Sequence, residues 1–171
     1  MSLKIIKEKP DNHCLFRSFI RNISGKPTKN KIKKIRNILA NYIEKEKDKY
    51  ESFIYDTNFK NYCNLIKNTD KWGGELEILA FSDLYKRNVV IYSKEKKEII
   101  QKYDNNYKYT LYLEYQGRTH YNTITIIPKH LILEYEIKNL KLKLNNKNLE
   151  INKLKKKNKE LSLFNKNLLL Y

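Results

Sequence analysis

The sequence predicts an α+β fold, a small mixed sheet flanked by helices, followed by a C-terminal helix or coiled coil. Helix-type spacing dominates residues 14–84, whereas runs of β-branched and aromatic residues dominate residues 89–127. Helices that precede strands favour an α+β arrangement or a sheet with helices on its faces. From residue 130 the apolar period becomes seven, which is typical of a coiled coil. We therefore predict a globular domain over residues 1–128 and a helical coiled-coil tail over residues 129–171.

The helices of the domain are predicted from apolar residues that recur every three or four positions. Residues 1–9 form a short leader or an edge strand. Helices are expected over residues 14–23, 29–49 and 76–84, with a less regular helical region near 53–66. Gly25 and Pro27 separate the first two helices, because glycine commonly follows a helix end and proline cannot continue a helix.

The strands follow in the second half of the domain. Four runs carry the β-type composition, namely residues 89–92, residues 99–100 with their flanks, residues 109–115 and residues 120–127. Gly117 lies between the last two runs and predicts a turn there.

The tail has a heptad repeat without glycine or proline. Its a positions are Ile137, Leu144, Ile151, Asn158 and Asn165, and its d positions are Leu133, Leu140, Lys147, Leu154, Leu161 and Leu168. β-branched residues at a with leucine at d favour a parallel dimer, so residues 130–171 predict a homodimer. Two alternatives stay open: one amphipathic helix folded back on the domain, or a low-complexity tail rich in Asn and Lys.

Composition restricts the class of protein. The net charge of +17 predicts non-specific attraction to nucleic acid, although Lys, Asn and Ile are also the residues that A/T-rich codons encode. No apolar run is long enough for a membrane span, and the N-terminus lacks the apolar region of a secretory signal. We expect an intracellular, cytoplasmic protein, in the host cytoplasm if the source is a virus or an intracellular bacterium. Two cysteines and three histidines without close partners predict no disulfide framework, no metal site and no cofactor.

The stretch around Cys14 is where chemistry is expected. Turn-forming residues precede Cys14, and the apolar spacing of the first helix begins directly after it. The free N–H groups and the positive dipole end of a helix favour a thiolate at this position. A lone cysteine is otherwise most often a small buried core residue, which is also our interpretation of Cys63.

His120 and Asn122 supply what a thiol nucleophile needs, a base and a group that orients the base. Residues two apart on a strand point to the same face, so the two side chains should be neighbours. We expect the Asn122 oxygen to accept the Nδ1 proton of His120, which leaves Nε2 for the thiol. His13 and His130 are poorer candidates, because His13 adjoins the nucleophile and His130 begins the heptad segment.

Three segments together resemble the motifs of the ovarian-tumour (OTU) family of cysteine proteases. Asp11–Ser18 reads D-N-H-C-L-F-R-S and resembles the nucleophile motif D-G-x-C-L-F-R. Trp72–Ala80 resembles W-G-G-x-x-E-[IL]-x-A, and His120–Asn122 resembles H-[YW]-[DN]. The resemblance covers residues 11–127 in the order of the family and implies a papain-like catalytic arrangement.

The resemblance implies hydrolysis of the isopeptide bond after the C-terminal glycine of ubiquitin, with ubiquitin or polyubiquitin as the partner. It assigns Cys14 as nucleophile, His120 as general base and acid, Asn122 as the group that orients His120, and Asp11 as the residue that shapes the oxyanion loop. It also implies that four residues line or brace the substrate channel, namely Trp72, Gly73, Gly74 and Tyr121. Trp72 reads equally well as a core residue.

One residue departs from the family pattern, and two other functions stay open. Asn12 stands where the family has glycine; if the position needs a positive φ, asparagine is the best substitute. A protease of the same fold could act on a ubiquitin-like modifier or a viral polyprotein. A non-catalytic basic coiled-coil scaffold that binds RNA is the alternative from another class.

Overall fold

The computed structural model describes residues 2–55 and 57–168, with the backbone alone for residues 162–168. The chain divides into two compact units, Met1–Pro128 and Lys129–Tyr171, and each is described by itself. The predicted fold class is confirmed, because the first unit is a helix-flanked mixed sheet and the second is a helix.

Five α-helices and five strands form the first unit over its described residues. The helices are α1 (Cys14–Ser24), α2 (Lys29–Lys45), α3 (Lys47–Tyr50), α4 (Phe59–Asn68) and α5 (Glu75–Tyr85). The strands are β1 (Lys4–Ile6), β2 (Arg87–Ser93), β3 (Glu98–Tyr103), β4 (Tyr109–Gln116) and β5 (His120–Ile126). The second helix is shorter than the sequence predicts, and the irregular region resolves into α3, a 3₁₀ turn (Glu51–Phe53) and α4.

The sheet has the strand order β1-β5-β4-β2-β3. β2 and β4 run parallel, and the other three pairs are antiparallel, so the sheet is mixed. Pairing of β1 with β5 brings the N-terminal segment beside the strand that carries His120 and Asn122.

The core lies between the sheet and the helices. Phe19 of α1 stacks on Phe81 of α5 with ring centroids 4.2 Å apart, and α1 also packs against β5. Cys63 is 1% exposed and belongs to this core, in agreement with its interpretation as a packing residue. Packing of α1 on β5 places the first residue of that helix, Cys14, against the strand.

The turn between β4 and β5 positions the first residue of β5. Gly117 (φ 60°) and Arg118 (φ 64°) both have positive φ, as the tight hairpin turns that match strand twist require. Glycine is favoured at the first of these positions because it has no steric cost there. The turn therefore fixes where His120, the first residue of β5, begins.

The second unit is the helix α6 (Lys129–Leu168), about 60 Å long at 1.5 Å per residue. The described apolar a and d side chains are 47% to 65% exposed, namely Leu133, Ile137, Leu140, Leu144, Ile151, Leu154 and Leu161. The side chains of Asn165 and Leu168 lie outside the described residues. Within the part of the chain that the structure describes, no helix combines the length and apolar character that a membrane crossing requires.

Candidate active site

Cys14 is the first residue of α1 and lies against β5. Its Sγ accepts a hydrogen bond from the backbone N–H of Tyr121 at 3.5 Å, across 107 positions of sequence. Because Tyr121 directly follows His120, the predicted nucleophile and the predicted base come to the same place. The Cys14 side chain is buried, with 7% of the residue exposed.

Burial raises the pKa of the Cys14 thiol above its ordinary value. Hydrogen bonds from the backbone N–H groups of Tyr121 and Leu15 oppose this effect, and the negative charge of Asp11 adds to it. The backbone N–H groups at the helix start favour the thiolate as predicted, but in the free protein desolvation outweighs them, so the net change in the pKa is upward. Cys14 therefore depends on a base to remove its proton.

His120 contacts Asn122 as the strand geometry predicts, but through the other nitrogen. Nε2 of His120, and not Nδ1, lies 2.9 Å from Oδ1 of Asn122. The orientation of the imidazole is therefore the reverse of the one predicted. The ring nitrogen left to exchange a proton with the thiol is Nδ1.

Asn122 is 2% exposed, and two glutamates that the motifs do not include hold its amide. The backbone N–H of Glu8, just beyond β1, donates to Oδ1 at 2.9 Å. The Nδ2 group donates to Oε2 of Glu114 on β4 at 2.7 Å. In the sequence, the signal for Glu114 is a glutamate within a run of apolar and β-type residues, where a charged residue is unusual.

Asp11 organises the loop before Cys14. Its carboxylate binds Arg17 through two hydrogen bonds, of 2.7 and 3.4 Å, and accepts the His13 N–H at 3.0 Å. Burial opposes ionisation, but Arg17 and the His13 N–H hold the pKa of Asp11 below its usual value. The Cys14 N–H donates to the Asp11 carbonyl at 3.2 Å, so this backbone donor has a partner within the loop.

Asn12 does not have a positive φ, so the glycine of the family pattern is not needed here for backbone conformation. Its side-chain oxygen accepts a hydrogen bond from Nε1 of Trp72. Trp72 is 52% exposed, which rules out the interpretation of this residue as part of the core. The asparagine thus links the nucleophile loop to the Trp-Gly-Gly segment.

Gly73 and Gly74 differ in what surrounds them. A Cβ at Gly73 would lie 2.9 Å from the Phe16 ring and 3.1 Å from Leu15, so only glycine lets this segment approach α1 so closely. A Cβ at Gly74 would meet nothing within 4 Å. The Gly74 N–H donates to the buried Glu77 carboxylate at 2.7 Å, which anchors the segment at the start of α5.

Arg36 fixes the loop that leads to Trp72, although no motif in the sequence points to it. The side chain is buried and lies over the Phe16 ring at 4.4 Å. Its guanidinium donates to the carbonyls of Ile66, Thr69 and Lys71 at 2.7 to 2.9 Å. A planar cation with several donors suits this cluster of carbonyls.

Comparison with known sequences identifies the family. The family model of the OTU-like cysteine protease matches residues 9–130, which is more than half of the chain. One relative, OVARIAN TUMOR DOMAIN-containing deubiquitinating enzyme 2 of Arabidopsis thaliana, is 33% identical over 120 residues, 69% of this chain and 56% of that protein. Enzyme 7 of the same series and organism is 28% identical over 126 residues, 72% of this chain. The match spans only 33% of that second relative.

Solved structures show the same fold. An OTU domain in complex with ubiquitin matches with a TM-score of 0.62 and 22% identity, covering 72% of this chain and 69% of that one. An OTU deubiquitinase from Wolbachia pipientis wMel matches with a TM-score of 0.56 and 16% identity, covering 78% of this chain and 96% of that one. Because the family model matches residues 9–130, the chain belongs to the family of OTU-like cysteine proteases.

Proposed function

We propose that this protein is a deubiquitinating enzyme that hydrolyses the (iso)peptide bond after the C-terminal glycine of ubiquitin. The observation that carries the proposal is the meeting of Cys14 with the strand start that holds His120 and Asn122. Membership of the family and the names of its relatives, which include deubiquitinating enzymes, support ubiquitin as the substrate.

The thiol and the imidazole perform the proton transfers. Nδ1 of His120 takes the proton from Sγ of Cys14, and the thiolate attacks the carbonyl carbon of the terminal glycine. The resulting imidazolium then gives this proton to the departing lysine amine, since a neutral amine leaves far more easily than an amide anion. A thioester remains on Cys14. Water, deprotonated by His120, hydrolyses it and releases the ubiquitin carboxyl terminus.

The loop at residues 11–14 serves the oxyanion. The Cys14 N–H, which donates to the Asp11 carbonyl in the free protein, turns to the negatively charged oxygen as that oxygen forms. Hydrogen bonds to an ionised acceptor are about twice as strong as neutral ones, so this exchange of acceptors is favourable. Asp11 keeps the loop in place through Arg17.

The Trp-Gly-Gly segment and Tyr121 border the path of the substrate tail. Gly74 leaves open space where an extended peptide can approach the backbone closely. Trp72 offers an exposed ring beside Asn12, and Gly73 braces the segment on α1. Tyr121 lies next to the thiol, where its N–H already contacts Sγ.

Covalent capture tests the proposal. A ubiquitin probe with a C-terminal electrophile should label the wild-type chain once, at Cys14, because Cys14 lies at the start of the strand that carries His120, whereas Cys63 is packed in the core. Cys14→Ala should stay unlabelled although Cys63 is still present, which makes the core cysteine an internal control. Intact-mass spectrometry and peptide mapping locate the adduct. Labelling at Cys63, or equal labelling of Cys14→Ala, would refute the assignment.

Matched probes separate the substrate classes. Probes built on ubiquitin-like modifiers should label more slowly than the ubiquitin probe. Preferential capture by a modifier probe would instead assign the protein to that modifier. Failure of all probes, together with salt-sensitive RNA binding, would favour the non-catalytic scaffold.

We also propose that α6 mediates a parallel homodimer. The apolar a and d side chains form a stripe that is about half exposed on the described helix, and a coiled coil is the arrangement that buries such a stripe. From the net charge of +17 we expect any binding of nucleic acid to be non-specific.

Light scattering after size exclusion tests the dimer. The wild-type chain should have twice the monomer mass, and Leu140→Glu with Leu144→Glu should be monomeric, because two charges would enter the apolar seam. Leu142→Glu with Leu149→Glu is the matched control, since both leucines are exposed but lie off the a and d positions. A monomeric wild type, or equal loss of the dimer in both variants, would contradict the proposal.

A further inference from the structure

Glu114 is a buried carboxylate that the proposed mechanism does not use. It is 4% exposed on β4 and pairs directly across the antiparallel ladder with Asn122 on β5. The two side chains therefore stand on the same face of the sheet, and Nδ2 of Asn122 is 2.7 Å from Oε2 of Glu114. At this distance, the buried carboxylate can control the orientation of Asn122, the residue that contacts His120.

The partners of Asn122 allow only one orientation of its amide. The Glu8 backbone N–H can only donate, and it meets Oδ1 at 2.9 Å. On the other side of the amide, Oε2 of Glu114 accepts the hydrogen bond from Nδ2. A flipped amide would place NH₂ against the Glu8 N–H and the carbonyl oxygen against the Glu114 carboxylate. Both contacts would then be repulsive in a buried site.

The orientation of the amide decides the tautomer of His120. Because Oδ1 has no proton to give, Nε2 of His120 must carry the hydrogen across their 2.9 Å contact. In the neutral ring this leaves the lone pair on Nδ1, which is the nitrogen that the proposed mechanism uses as a base.

We propose that Glu114 is a positioning residue that locks the Asn122 amide, and through it the base-competent tautomer of His120. The inference rests on the proposed function for its meaning in catalysis. It also has a consequence for position 122, where the family motif takes either Asn or Asp. In this chain, an aspartate at position 122 would face the Glu114 carboxylate, and two buried carboxylates so close cannot both ionise.

Other titratable groups adjoin this pair. Besides His120, the Glu8 carboxylate lies near but is bonded to Arg21 and to the Thr123 hydroxyl. On the other side of β4, Tyr92 pairs with Glu114 across the parallel ladder. Burial and the charge of Glu114 raise the pKa of Tyr92, so this phenol stays neutral.

A double-mutant cycle tests the pairing of positions 114 and 122. The proteins are wild type, Asn122→Asp, Glu114→Gln and the double variant, with Glu51→Gln at an exposed site as the control for the glutamate change. We expect Asn122→Asp to lower kcat/KM for a fluorogenic ubiquitin C-terminal amide by at least about tenfold. The double variant should recover to within a few-fold of wild type, because the amide introduced at position 114 can donate to the new carboxylate. Glu114→Gln alone should lose little activity, since the amide oxygen of the introduced glutamine can still accept the hydrogen bond from Asn122.

The melting temperature gives a readout that does not need activity. Asn122→Asp should melt lower than wild type, and the deficit should grow as the pH rises, because a carboxyl with a raised folded pKa destabilises the protein in its charged form. The double variant should lack this growth with pH. An equal deficit in the double variant, or a wild-type pH profile in Asn122→Asp, would overturn the inference.

The tautomer can be observed directly. Imidazole ¹⁵N shifts of histidine-labelled protein, assigned with His120→Ala, should show His120 protonated on Nε2. Protonation on Nδ1 would overturn the inference. If the chain proves inactive on ubiquitin, the proposed function fails, while the melting and NMR measurements still decide the role of Glu114.

Discussion

His120→Ala should reduce kcat/KM for diubiquitin cleavage by about 10³–10⁴-fold, the upper part of the range for a general acid–base group. The loss is expected to be this large because burial raises the pKa of the Cys14 thiol. Without His120 the thiol keeps its proton, and the lysine amine has no donor when it departs. Cys14→Ala should reduce cleavage to the background rate, since no nucleophile remains.

The measurement is a time course on a panel of diubiquitin linkages, with melting curves to show that each variant folds. His130→Ala is the matched control, because His130 is exposed at the second position of α6 and should leave cleavage unchanged. Raised pH should not rescue His120→Ala fully, since thiolate formation alone does not protonate the leaving group. Wild-type rates in His120→Ala would remove it from the mechanism.

Arg36→Ala should lower the free energy of unfolding by about 2–4 kcal/mol. The substitution leaves the carbonyls of Ile66, Thr69 and Lys71 without their cationic donor and removes a guanidinium that packs on Phe16. Because two of these carbonyls, those of Thr69 and Lys71, belong to the loop that leads to Trp72, probe labelling should slow as well.

Urea unfolding measures this effect as a lower midpoint at an unchanged m-value. Lys33→Ala is the control, since Lys33 is exposed on the same helix and should cost almost nothing. The stability of Arg36→Lys should lie between the stabilities of Arg36→Ala and Lys33→Ala. A lysine ammonium keeps the positive charge but lacks the planar set of donors that reaches three carbonyls. An Arg36→Ala variant as stable as Lys33→Ala would show that the loop does not depend on the guanidinium.

Local patterns predicted the fold class well because each rests on short-range physics. The spacing of Leu15, Phe16 and Phe19 shows one face of α1, and those residues are buried there. The helix boundaries were less accurate around residues 45–58, where apolar spacing is irregular. The ends of α2 and α4 depend there on caps, such as the Asn58 side chain that accepts the Asn61 N–H.

The same distinction between local and long-range physics holds for the candidate site. The i, i+2 rule placed His120 beside Asn122, because side chains alternate along any strand. The rule did not say which nitrogen of His120 faces the amide, since this depends on groups that β1 and β4 bring to the site. Likewise, the helix start suggested a thiolate at Cys14, but its burial by β5 reverses the direction of the pKa change.

By itself the sequence determined the family, and it predicted Cys14 as the nucleophile and His120 as the base, because these inferences depend on residue type and short spacing. Only the tertiary structure decided that Glu8 and Glu114 hold the Asn122 amide and that Arg36 holds the loop before Trp72. Their positions follow from strand register and helix packing, which no local spacing encodes. Short motifs thus identify the candidate site residues. Contacts between residues that lie far apart in the chain set the orientation of their side chains.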